Sequence, residues 1–437
     1  MTNKKSGNML AIVTMMFIYA MISFVTNLAA PTSNIWKAAE FIGGSNTLGM
    51  MGNMMNFLAY LFMGIPAGQM LSRIGYKKTA LVGIGVGFFG VLIQYLSGFA
   101  AEWTGFIIYL IGAFISGFSV CMLNTVVNPM LNLLGGGGNR GNQLNLIGGT
   151  FNSLAGTLTP MLVGSLVGTI IPGKTSIMDI SLVMFIAMGV FAAAFIILSF
   201  LPIRNPENGN SDANTVYERL AWSFRHCTLG VIGIFLYVGV EIGIPGTLNN
   251  YLADNGGKGP WNGNAPENSA AIAGFVAGMY WLLMLVGRTI SSFIAGKVSS
   301  KTLMTFTSSV AIILIACAGF SPSETMTSMP IFNGHDFEMT QVPISALFLV
   351  LCGLCTSVMW ASIFNLATEG LGKYTAKASG LFMMMVVGGG VLPLIQNGIA
   401  DKVGYMFSYI VPVIALAYLL WYALIGSKNV NTDIKID

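Results

Sequence analysis

The stretch Leu236–Tyr251, LYVGVEIGIPGTLNNY, decides how the chain is read. It holds Glu241, the only one of sixteen acidic side chains that falls well inside an apolar run. A carboxylate at mid-membrane depth costs roughly 2.5–3.5 kcal/mol on insertion scales, so it calls for a partner, a proton or a water-filled cavity. Gly243, Pro245 and Gly246 follow and weaken a helix, while Asn249 and Asn250 add amide donors and acceptors. Interrupted helices with polar side chains at membrane depth persist where they line a cavity. This stretch is therefore expected to be a broken helix beside a polar pathway.

The rest of the chain has a membrane protein's composition. Of 437 residues, 54% are apolar and 8% charged, where a soluble domain carries roughly 25% charged residues. The net charge of +4 is small and offers nothing for nucleic acid to bind. Lys4 and Lys5 precede an apolar run, Met9–Ala30, that is too long for the core of a cleavable signal and reads as a first transmembrane helix that stays. About twelve such runs of ~20 residues follow one another, each long enough to cross a ~30 Å hydrocarbon core. The expected fold is an all-α integral membrane protein of twelve transmembrane helices. With the N-terminus inside, sixteen Lys and Arg residues, Arg73, Lys77 and Arg288 among them, fall on the inner side; only Lys37, Lys174, Lys258 and Lys402 fall outside. That asymmetry places both termini in the cytoplasm.

The longest inner connection follows the sixth run. Its first part, PIRNPENGNSDAN from Pro202, has a linker's composition. Its second, Thr215–Arg225, is expected as a short surface helix with Tyr217, Leu220, Trp222 and Phe224 partly buried. The chain then divides into 1–201, an N-terminal six-helix bundle, 202–226, a cytoplasmic linker, and 227–437, a C-terminal six-helix bundle. The halves correspond: Asn128 lies seven residues before Gly135 and Asn365 seven before Gly372, and Pro160 and Pro393 follow those glycines by 25 and 21. Such repeats hold a transported molecule between them near the midplane. The polar outer segments Asp254–Asn268 and Ser321–Gln341 are expected to be mobile loops, and Asp401 a solvated residue of another. Cys352 and Cys355, one turn apart in an apolar run with no βαβ pattern around them, are read as packing residues.

Gly64, Gly68, Ser72, Arg73, Gly75, Lys77 and Lys78 resemble the loop motif of the major facilitator superfamily, G-x-x-x-D-R/K-x-G-R/K-R/K, with Ser72 where the acid usually stands. LNTVVNP from Leu123, TFNSL from Thr150, YVGVEIGIPG from Tyr237, GRTI from Gly287 and the long block from Phe364 to Asp401 resemble the fucose–galactose–glucose/proton symporter family over nearly the whole chain. The resemblance implies two pseudo-symmetric six-helix bundles and inward sugar transport by alternating access, coupled to protons, in the bacterial inner membrane. Two departures stand out. Where the family's fucose permease carries an aspartate in the first span and a glutamate in the fourth, this chain has Ala30 and Asn124; Asn152 and the glutamate of the YVG-x-E motif, Glu241, are kept.

The residues themselves suit a sugar. Its hydroxyls need neutral partners, and each amide offers two donors and an acceptor. Asn27, Asn124, Asn152, Asn249 and Asn250 are the candidate ligands together with Glu241, unless they only tie helices together. Trp281 or Trp360 is the candidate platform for the sugar's apolar face. Three roles are open to Glu241: proton carrier, part of a sodium site, or a paired packing residue. Arg73, Lys77 and Arg288 are candidate gating residues. His226 and His335 are far apart and no metal set is present; no phosphate-binding loop occurs, no cofactor is implied and an enzyme is not expected. The chain is expected to act as a monomer. An uncoupled or sodium-coupled carrier, or a multidrug exporter of the same fold, remains as an alternative.

Overall fold

The computed structural model describes residues 2–134, 138–167, 170–171, 173–200, 221–254, 257–261, 263–294, 298–332, 337–371 and 374–430. Among the described residues, twelve helical spans run back and forth. In the N-terminal bundle they are α1 (Thr2–Lys37), α2 (Met51–Leu71), α3 (Arg73–Phe99), α4 (Glu102–Leu134), α5 (Gly138–Val167) and α6 (Ser181–Phe200). The C-terminal bundle has α7 (Arg225–Leu252), α8 (Ser269–Ile294), α9 (Ser300–Phe320), α10 (Ile344–Thr368), α11 (Thr375–Met385 with Gly388–Val403) and α12 (Tyr405–Gly426). Among the described residues the fold is therefore all-α apart from one hairpin. Lys37, Asp254 and Asp401 mark one end of the molecule, called here the Asp401 end. Most of the 202–226 linker lies outside the described residues. Where its surface helix was expected, Ala221–Ser223 form a single 3-10 turn, with Trp222 exposed and Phe224 fully buried.

Eleven spans are apolar and long enough to cross a membrane on composition alone. The exception is α5, whose 30 residues reach about 45 Å at 1.5 Å per residue but include many glycines and polar groups. Packing explains the difference. Ile147, Phe151, Leu154 and Leu158 form one exposed apolar stripe, at the spacing of a single helix face. The opposite side turns inward, where the Asn152 amide donates to Tyr19 O at 3.0 Å.

Alpha5 also forms half of the seam with the other bundle. A Cβ on Gly274 of α8 would fall on the carbonyl of Pro160, and one on Gly278 would sit 2.7 Å from the carbonyl of Thr157. Gly164 faces the Ala270 carbonyl in the same way. Small residues one turn apart let backbones meet where lipid supplies no hydrophobic drive.

Two expectations are corrected here. The Gly243–Pro245–Gly246 stretch does not break its helix: α7 is continuous, with Pro245 inside it. A proline removes a single i→i−4 bond, Tyr409 donates to the nearby Ile244 carbonyl at 3.1 Å, and Gly243 leaves room for the Gln396 side chain. The interruptions fall instead in α10, between Thr356 and Met359, and α11, between Met385 and Gly388. The outer segments are not simply mobile loops either. Met326–Phe332 and Phe337–Pro343 pair as an antiparallel hairpin, β1 and β2, with Met329 and Ile331 buried beneath it. The Trp261 indole donates to Leu252 O at 2.8 Å and Lys258 to Asp401 O at 2.9 Å.

Replacement of Gly278 by valine forces the α5–α8 seam apart. Overpacking of a close contact costs about 1–3 kcal/mol, so a lowered unfolding midpoint of the purified protein is expected; an unchanged midpoint would show that the seam has slack.

Candidate functional site

The five helices α1, α2, α5, α7 and α8 converge on a cavity at the junction of the bundles. Thr26, Asn27, Ala30, Asn53, Asn249 and Trp281 are among its lining residues. Alpha1 supplies one wall because Asn27 and Ala30 follow Thr26 within a turn, and α7 brings Asn249 one turn beyond Pro245. The cavity holds about 20 Å³, enough for about one water molecule. In this conformation the bundles are closed around it too tightly to admit a sugar-sized molecule.

The amides have unequal roles. The Asn27 nitrogen donates to Ser23 O at 2.9 Å and Ser23 Oγ at 3.1 Å within its own helix. Asn249 Oδ1 accepts from Asn34 of the other bundle at 2.6 Å. Asn250 lies outside the cavity lining, accepting from Ser33 Oγ at 2.8 Å and donating to Asn397 at 3.0 Å. Asn124 donates to the Tyr60 hydroxyl at 2.7 Å and Asn152 to a backbone carbonyl of α1, both inside the N-terminal bundle. Of the predicted set, the structure brings Asn27, Asn249 and Trp281 to one cavity, and places Asn124, Asn152 and Asn250 in helix-to-helix bonds around it.

Glu241 is not solitary. The Tyr237 hydroxyl, one turn earlier, donates to its carboxylate at 2.8 Å, and Arg288 of α8 lies 3.5 Å away. The Arg288 guanidinium also crosses the seam, donating to Ser153 Oγ at 3.0 Å and Gly149 O at 3.3 Å on α5. Both side chains keep slight exposure, 14% for Glu241 and 24% for Arg288. Trp281 and Arg288 are seven residues apart on α8 and so share a face. Trp360 packs against Tyr237 with ring centroids 6.2 Å apart rather than on the cavity. Arg288 thus touches both bundles. Arg73 is exposed, and Lys77 donates to Ser199 O at 2.8 Å within its own bundle.

A second polar layer closes the Asp401 end. Lys37 pairs with Asp254 at 3.3 Å and donates to the Tyr405 hydroxyl at 2.6 Å; Tyr405 in turn donates to Asn46 at 2.7 Å. Asp401, expected to be solvated, instead accepts bonds from Ser45, Asn46 and Thr47 of the other bundle. Ser33, Asn34, Tyr60 and Tyr237 were not foreseen. Only Tyr237 had a local signal, its spacing of one helical turn from Glu241.

Two helical bundles that meet on a polar, nearly closed seam define a membrane transporter. The chain belongs to the Major Facilitator Superfamily, whose family model matches residues 12–393. It is 30% identical over 436 residues to a protein of Brucella abortus named Glucose/galactose transporter, covering 98% of this chain and 96% of that one. It is 23% identical to the L-fucose-proton symporter of Escherichia coli, covering 85% and 83% of the two chains. The crystal structure of the Escherichia coli fucose:proton symporter superposes with a TM-score of 0.66 over 97% of this chain and all of that one, at 16% identity.

Arg288→Met leaves the Glu241 carboxylate without its cation in a mostly buried place. A loss of about 1–3 kcal/mol is expected, the range for a buried polar group deprived of its partner. Glu241→Gln in the same chain should restore part of it, which a double-mutant cycle on unfolding midpoints measures; strict additivity would mean the pair is not coupled.

Proposed function

We propose that this protein is a secondary carrier of a monosaccharide, a hexose or deoxyhexose, working by alternating access of its two bundles with the proton as coupling ion. The observation that carries the reading is the 30% identity, over 98% of the chain, to a protein named Glucose/galactose transporter. The seam chemistry agrees with it. Asn27 and Asn249 offer neutral hydrogen-bond partners to sugar hydroxyls, and the Trp281 ring offers a flat apolar face. Separation of the bundles would widen their shared cavity, and the amides now spent on closure would then become free to bind.

The distribution of Lys and Arg supports a bacterial inner-membrane location with both termini in the cytoplasm and the Asp401 end outside. Residues 1–201 and 227–437 then act as the two moving bodies of a monomer, joined by 202–226. In this reading Glu241 takes up the coupling proton, and neutralising it removes the charge that holds Arg288. A second reading, a carrier without ion coupling, is favoured by the same ion pair, because Arg288 and Tyr237 already give the Glu241 carboxylate its partners and so assign it a packing role. Sodium in place of the proton is the third arm of the same test.

Proteoliposomes supplied with radiolabelled D-glucose, D-galactose or L-fucose, under an inward proton gradient or a sodium gradient, test substrate and coupling together. Accumulation of at least one of the three under the proton gradient is expected; no uptake above empty liposomes overturns the proposal. In Glu241→Gln, uphill accumulation should vanish while sugar counterflow continues, and persistent accumulation would remove Glu241 from the coupling role. Trp281→Ala should raise KM by about tenfold, the equivalent of ~1.4 kcal/mol of ring contact, with the unfolding midpoint measured alongside.

A further inference from the structure

Asp401 ends the long sequence block of α11, yet its bonds lie mostly across the molecule. Its Oδ1 accepts from the Asn46 backbone N–H and side-chain amide, both at 2.8 Å. Its Oδ2 accepts from the Thr47 N–H at 2.9 Å, the Thr47 hydroxyl at 2.7 Å and the Ser45 hydroxyl at 3.0 Å. Five donors from three consecutive residues of the N-terminal bundle therefore converge on one carboxylate of the C-terminal bundle. Lys258, of its own bundle, holds the Asp401 backbone carbonyl in place from the other side.

We propose that Asp401 is the latch of the outward-closed state, the group that sets how readily the two bundles part at this end. The proposal rests on the alternating-access reading above and extends it to a residue outside the sugar site. Three features suit a latch better than a permanent staple. All five bonds are made to the other bundle, so a parting of the bundles breaks them together. Asp401 is only partly buried, so water can replace the donors as they leave. The donors are short side chains and backbone groups of the single helical turn Asn46–Gly49 that precedes α2, already ordered by the Ser45 cap on the Leu48 N–H, so re-closure needs little reordering. The bonds of Ser33 to Asn250 and Asn34 to Asn249 lie deeper along the same opening and join neutral groups. Charge-assisted bonds are about twice as strong as neutral ones, which makes the rim carboxylate the larger single contribution.

The full-length protein in lipid nanodiscs, spin-labelled at Lys174→Cys and Glu324→Cys, reports this directly. Both positions are exposed and belong to opposite bundles at the Asp401 end, and Cys317, an exposed native cysteine, is replaced by serine. Pulsed dipolar spectroscopy of this parent should give mainly the short distance. Asp401→Ala should raise the share of the long distance by about tenfold, the effect of ~1.4 kcal/mol. Thr47→Val, which removes one donor and leaves Asp401 intact, should shift it in the same direction by less, and the double variant should show no more than Asp401→Ala alone. Should Asp401→Ala fail to fold, the Thr47→Val and Asn46→Ala arms decide. Unchanged distance distributions in the folded variants, or simple additivity of the two sides, overturns the latch. Because the readout is a distance, a wrong assignment of the sugar would leave this result standing.

Discussion

A hydrocarbon interior offers no water to unsatisfied polar groups, and the rest of this structure follows from that constraint. An amide, hydroxyl or charge placed in a span is costly unless it meets a partner, on its own helix or another, or faces a space that water or a solute can enter. Here such groups gather between the bundles: Asn249 against Asn34, Asn250 against Ser33 and Asn397, Arg288 between Glu241 and Ser153. The outward surfaces of the spans are left to residues such as Phe306, Ile313 and Ile414. Polarity is sorted by face, and polar faces of the two halves meet one another.

The seam has two zones with different physics. Between α5 and α8 it is made of backbone against backbone, permitted by Gly164, Gly274 and Gly278, with little polar content. Toward the Asp401 end and around Glu241 it is made of hydrogen bonds and ion pairs. Close backbone packing gives a surface of fixed shape on which the halves can rock. Hydrogen bonds to exchangeable partners give contacts that form and break as units. A carrier needs both, since a seam made only of packing has no discrete states and one made only of polar bonds has no pivot.

Much of the site was legible as a set of residues and little of it as an arrangement. Glu241 stood out because a lone carboxylate in an apolar run is costly, and its partner within one turn, Tyr237, follows from helical spacing. Arg288 could be noticed but not paired, because it sits 47 positions along the chain from Glu241. Asp401 was misread for the same reason: its local context, the end of a span beside Lys402, has a solvated residue's appearance, and its donors lie some 355 residues away. The misreading of α7 as broken has another cause. Glycine and proline mark where a helix can yield, whereas neighbouring helices decide whether it does, and here α11 and α12 brace it.

The sequence by itself determined that the chain is a membrane protein of about twelve spans, which residues are too polar to face lipid, and to which family the whole belongs. These are properties of composition, period and motif, and each is written locally along the chain. Only the tertiary structure decided which polar groups meet, that the bundles are drawn together at the Asp401 end, and that the space between Asn27, Asn249 and Trp281 has contracted to about 20 Å³. The physical reason is that hydrogen bonds depend on distances of a few tenths of an ångström, set by how two independently packed bundles are placed against one another, and no periodicity along one helix carries that placement.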